Sequence, residues 1–219
     1  MTDQAPMASK PRLRGWIHAV SAPLSVSAGI MLVLRAATTV AALACSVFTA
    51  TAAVLFGVSA TYHLGPWSPR TRAVLRKIDH ANILLLIAGT YTPVAVLLLH
   101  GASRVAILAV TWGCAALGFL FQTSWTALPR WVYVPVYLGL GWVVVLAAPQ
   151  LISAGGLTVL LLIVAGGLTY TAGGIVYGLR QPDPWPGWFG FHEIFHACTV
   201  VAFACQYAAI SIVACRPLP

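Results

Sequence analysis

Phe191-His192-Glu193-Ile194-Phe195-His196 opens an apolar run that continues to about Ala214. A run of that length suits a membrane-crossing helix, which needs roughly 20 residues for a hydrocarbon core about 30 Å thick. On such a helix His192 and His196 lie one turn apart on the same face, with about 5–6 Å between their Cβ atoms. Two imidazoles at that spacing can ligate one metal ion. Grouping His192, Glu193 and His196 at the mouth of a span is costly in a chain with only 7% charged residues. Ionisable groups at membrane depth point to function by default. The plainer alternative is a pair of interfacial histidines at a helix start.

The rest of the chain has the same character. Its 219 residues are 60% hydrophobic, with a mean hydropathy of +0.89, whereas soluble domains are about 45–50% apolar and about 25% charged. The composition argues against a soluble enzyme and predicts an all-α integral membrane bundle. Seven spans are expected, at about 16–34, 38–62, 79–99, 104–123, 131–148, 156–178 and 191–214. They form one membrane domain, 16–214, between a disordered basic tail at 1–15 and a short tail at 215–219. Ser68-Pro69 predicts a helix start ahead of the third span, with Ser as N-cap and Pro in the first turn. Pro93 should kink that helix and Pro149 should end the fifth span. Gly166, Gly167, Gly173 and Gly174 give the sixth span a smooth face for close packing.

The formal charge of +8 lies in short connections between spans, so it reads as topology rather than as a nucleic-acid surface. With the N-terminus inside, the inner segments hold Lys10, Arg12, Arg14, Arg70, Arg72, Arg76, Lys77, Arg130 and Arg180. The outer segments hold Arg35, Arg104 and Arg216. Nine against three predicts a cytoplasmic N-terminus and an external C-terminus. Trp16, Trp67, Trp125, Trp131, Trp185 and Trp188 then fall near the inner face as an interfacial belt. The first span is read as uncleaved, because its apolar run is too long for a signal peptide. Five scattered cysteines, with no C-x-x-C pair, read as small core residues.

Topology brings further residues to the level of the histidine pair. His63 ends the second span, Asp79 begins the third, and His192 and His196 begin the seventh. Three imidazoles and a carboxylate at one depth make a candidate metal site, and three His plus a water is an open, catalytic zinc arrangement. Asp79 could ligate directly, but three His suffice, so it is expected to hold the metal's water from outside the ligand set. Ser59, one turn before His63, could hydrogen-bond an imidazole, the water or a substrate carbonyl. His192-Glu193-Ile194-Phe195-His196 also reads as H-E-x-x-H, the metalloprotease motif with Glu as general base. That reading needs a further ligand, usually acidic, and no acid follows Glu193. His80, His18 and His100 are expected to be interfacial.

At these residues the chain resembles the hemolysin III family. Ser59-Ala60-Thr61-Tyr62-His63 looks like its S-x-x-x-H, and Asp79-His80-Ala81-Asn82-Ile83-Leu84-Leu85-Leu86-Ile87-Ala88-Gly89-Thr90-Tyr91-Thr92-Pro93 closely resembles its third-span signature. His192 and His196 match the H-x-x-x-H of its last span. The resemblance covers all seven spans in order and extends to the progestin and adiponectin receptors. It implies a seven-helix domain with zinc held at His63, His192 and His196, and with Asp79 and Ser59 beside the zinc-bound water. Some relatives hydrolyse ceramide, a lipid amide, and bacterial members are named for cytolysis. Glu193 is a variable place in the pattern. The chain also lacks the long N-terminal region of the eukaryotic receptors, so a hormone-receptor role is not expected.

The expectation is a multi-pass protein of the cytoplasmic membrane, with a three-His zinc site near the inner face. Asp79 and Ser59 are the candidate catalytic residues. The favoured chemistry is metal-dependent hydrolysis of lipid amides or esters, with the acyl chain in the helical bundle and an influence on membrane lipid state. A pore-forming cytolysin and a regulatory protein with structural zinc are the alternatives, and an intramembrane protease is a third.

Overall fold

The computed structural model describes residues 11–124 and 130–216. Most of the expected N-terminal tail, the last residues of the C-terminal tail, Trp125 and Pro129 lie outside them. Among the described residues the chain is helical, and seven of its segments are long and apolar enough to cross a membrane.

Helix α1 covers Trp16–Arg35, α2 Thr39–Leu64, α3 Pro69–Leu98 and α4 Gly101–Ser124. The starts follow the local chemistry. The Thr38 hydroxyl accepts the Ala41 N–H at 3.0 Å, and the Ser68 hydroxyl accepts the Thr71 N–H at 3.3 Å. Each satisfies one of the donors that a helix start leaves free. With Pro69 in its first turn, α3 starts well before Asp79, as Ser68-Pro69 signalled.

The fifth span departs from the sequence reading. It is α5, Arg130–Trp142, then a 3₁₀ segment, Val143–Ala147, then α6, Ala148–Gly155. Pro149 does not end the span. It sits in the first turn of α6, where a proline has no hydrogen bond to lose. The break comes earlier and has a partner on α3. The Tyr91 hydroxyl accepts the Val144 N–H at 3.0 Å and donates to the Gly141 carbonyl at 2.7 Å. Irregular backbone at membrane depth persists only where protein groups satisfy it.

Helix α7 is Leu157–Leu179 and α8 is Phe191–Ala214. Successive helices α1 to α4 pack side by side, α7 packs on α8, and α8 also touches α1, α2 and α3. Helix α3 is the most enclosed, touching α2, α4, α5, α6 and α8, and residues at the start of α8 face several neighbours. Phe203 of α8 stacks on Phe48 at 5.1 Å and meets Phe56 edge-on at 5.3 Å, forming the aromatic centre of the core. Helices in lipid gain little from apolar burial against one another, so close approach and polar contacts matter more. A Cβ on Gly173 would lie 2.7 Å from Cys198 Cβ, so the glycine lets α7 lie against α8. Gly174 turns instead to Leu138 of α5. The glycine-rich face thus serves two neighbours rather than one. At the end of the bundle away from the histidine pair, Ala37 N–H donates to the Ala214 carbonyl at 2.8 Å. There the Arg216 side chain also donates to the Ala154 and Gly155 carbonyls.

Candidate metal centre

The last turn of α2, the middle of α3 and the first turns of α8 converge at one end of the bundle. There the ligand nitrogens of His63, His192 and His196 all lie within 4.8 Å of one another. His63 and His196 are buried, at 4% and 2% exposure, and His192 is half-buried. The His63 and His192 Nε2 atoms are 3.2 Å apart. Two nitrogens on one tetrahedral zinc, each about 2.0–2.1 Å from it, sit about 3.3 Å apart. That pair already has the spacing of two ligands, and the third imidazole offers a nitrogen within 4.8 Å of both. The donor set suits zinc, because neutral imidazoles are its usual nitrogen ligands.

Asp79 Oδ2 lies 3.9 Å from His63 Nε2, so the carboxylate is beside the triad without crowding it. The buried Ser59 side chain hydrogen-bonds Asp79. The five residues singled out from the sequence, drawn from three separate spans, are therefore neighbours in space.

Glu193 sits between the two α8 histidines in sequence but faces elsewhere. It is 1% exposed. Its Oε2 accepts the Gly190 N–H at 2.9 Å, which caps α8. Its Oε1 pairs with the Arg14 guanidinium. Arg14 belongs to the segment expected to be tail, but residues 11–15 run across this end of the bundle. Arg12 and Leu13 donate their N–H groups to the Gly187 and Trp188 carbonyls, and the Arg12 guanidinium lies 4.6 Å over the Trp188 ring. Gly15, at φ +91°, brings the segment directly onto His63, and a Cβ there would come within 2.6 Å of His63 Cβ. The segment pinned by Glu193 thus covers one side of the triad.

His18 corrects the sequence reading. It is not interfacial but 3% exposed, and its ring stacks on His196 at 3.8 Å and 8°. His100 is exposed. His80 is outside the metal cluster, with its Nε2 3.3 Å from the Tyr177 hydroxyl. The sequence did offer a signal for His18: in the predicted topology it shares the inner end of the bundle with His63 and His192. As a single histidine with no partner at helical spacing, it carried no metal-ligand pattern.

A cavity begins at this cluster and runs between the helices. Its histidine end presents His18, Ser59, Asp79, His192 and His196, and its far walls are mainly apolar, among them Leu86, Val94, Val144 and Ile163. No Lys or Arg is among its described lining residues.

Residues 7–207 match the sequence profile of the family described as Haemolysin-III related. The chain is 30% identical over 166 residues to Hemolysin-3 of Bacillus cereus, covering 73% of this chain and 74% of that protein. It is 31% identical over 198 residues to the Hemolysin-3 homolog of Bacillus subtilis (strain 168), covering 88% and 89% respectively. It is 30% identical over 183 residues to the Heptahelical transmembrane protein ADIPOR2 of Oryza sativa subsp. japonica, covering 76% and 80%.

Proposed function

The chain belongs to the haemolysin-III related family, within the wider group of progestin and adiponectin receptors, and on that premise we propose that it is a zinc-dependent hydrolase of lipid amides or esters in the cell membrane. The observation that carries the proposal is the cluster of three imidazoles at the head of a largely apolar cavity. His63, His192 and His196 would hold the ion. When bound, zinc would supply a positive centre that polarises a carbonyl and makes water nucleophilic near neutral pH. The apolar walls would receive an acyl chain and place its carbonyl at the histidine end. Asp79 would take the proton of the attacking water as the new C–O bond forms. It would then return that proton to the leaving nitrogen or oxygen as the scissile bond breaks. Ser59, hydrogen-bonded to Asp79, would hold the carboxylate in position.

The nine-to-three charge count supports reading this end of the bundle as the cytoplasmic one. The Hemolysin-3 names of the bacterial relatives are what favour a cytolytic role as a second reading. A protease using Glu193 as base has less support, because both its carboxylate oxygens are engaged away from the cavity.

Asp79→Asn and Glu193→Gln separate these readings in an amide-hydrolysis assay in detergent, with zinc measured in each variant. Asp79→Asn is expected to keep zinc and lose about 10²–10⁴-fold in rate, the range for a lost general base. Glu193→Gln is expected to keep its rate and lose about 1–3 kcal/mol of stability with the Arg14 contact. Activity retained in the first and lost in the second would reverse the roles.

A further inference from the structure

His18 is the first span's contribution to this end of the cavity, and nothing above gives it a task. A neutral imidazole carries one N–H donor and one nitrogen acceptor. In His18 both nitrogens are buried and neither makes a well-formed hydrogen bond among the described residues, the contact to the His196 backbone being too poor in geometry to count as one. Leaving both groups unmet inside a protein is unfavourable, and such groups are rare in native structures. The ring is not part of the metal cluster, which comprises His63, His192 and His196. It lies parallel to His196, held between that stack and the Phe56 ring 5.1 Å away. It also lines the cavity. An oriented, unsatisfied imidazole on the wall of a largely apolar cavity calls for a polar group that arrives with the ligand.

We propose that His18 is a ligand-binding residue, hydrogen-bonding the polar group of an uncharged long-chain amphiphile whose chain lies along the cavity. The inference rests on the acyl-chain reading above and adds to it the residue that holds the headgroup and the class of headgroup held. An imidazole that can both donate and accept matches a hydroxyl or an amide, which do the same. The absence of Lys and Arg from the described lining, with the Asp79 carboxylate present, disfavours a phosphate.

The test measures displacement of a fluorescent N-acyl ethanolamine from purified full-length protein in detergent. The competitors are an unlabelled N-acyl ethanolamine, an alkane of equal chain length and an alkyl phosphate. His18→Phe keeps a flat apolar ring in the stack and removes both hydrogen-bonding groups. His18→Gln restores a donor and an acceptor. Wild type is expected to prefer the ethanolamide over both controls. His18→Phe is expected to bind it about tenfold more weakly, or ~1.4 kcal/mol, with alkane binding and zinc content unchanged and with partial recovery in His18→Gln. Unchanged ethanolamide affinity in His18→Phe would overturn the inference alone, as would equal loss for the alkane or loss of zinc. No binding of any chain by wild type would overturn the acyl-chain reading and this inference together. If neither variant folds, wild type labelled with an amphiphile bearing a diazirine next to its amide decides. Adducts on α1 around His18 are expected, and adducts confined to other helices would overturn the proposal.

Discussion

Each imidazole of the triad is one of three protein ligands, and an open zinc site has no spare donor. His63→Ala or His196→Ala is therefore expected to take the purified protein from roughly one zinc per chain to nearly none. Elemental analysis checks this, and metal kept by both variants would count against the site. At this scale the sequence was readable where residues repeat at helical spacing or share a depth. His192 and His196 declared themselves by spacing, and His63 and Asp79 by where their spans begin and end. His18 was missed because its stacking partner, His196, lies on another span. The Arg14–Glu193 pair was missed for the same reason: its members are 179 residues apart, and no local pattern couples them. That pair also gives Glu193 a structural role that H-E-x-x-H spacing does not suggest.

Among the helices, the fifth span shows most clearly what periodicity leaves out. Val143-Val144-Val145-Leu146-Ala147 is uniformly apolar and reads as unbroken helix. The Tyr91 hydroxyl of α3 meets backbone groups freed at that break, a partner outside the reach of any local window. Tyr91→Phe removes the acceptor for the Val144 N–H and the donor to Gly141. It is expected to cost about 1–3 kcal/mol, the penalty for leaving buried polar groups unmet, and to appear as a lower melting temperature in detergent. An unchanged melting temperature would mean the fifth span keeps its shape without that hydroxyl. Helix starts were legible by contrast, because a cap is a local device: Thr38 and Ser68 sit where their side chains accept the first free N–H groups.

For the whole molecule, spans could be counted because a bilayer sets the length of each apolar run. Their arrangement around α3 and α8 could not be read, since helix neighbours in lipid are chosen by shape and polar contacts. Orientation rests on the nine-to-three distribution of Lys and Arg. A reporter fused after Pro219 is expected outside the cell and one inserted within residues 64–77 inside it. The reverse pattern would move the histidine end to the outer face. The cavity, the triad and Asp79 together make the central claim that the intact bundle hydrolyses lipid amides only when metal is bound. The direct measurement is acyl-chain release from ceramides and other N-acyl lipids by the purified full-length protein, before chelation, after it, and after zinc is returned. Turnover that is lost on chelation and restored by zinc is the predicted result. Turnover indifferent to chelation, or none from the zinc-loaded protein on any of these lipids, would contradict it.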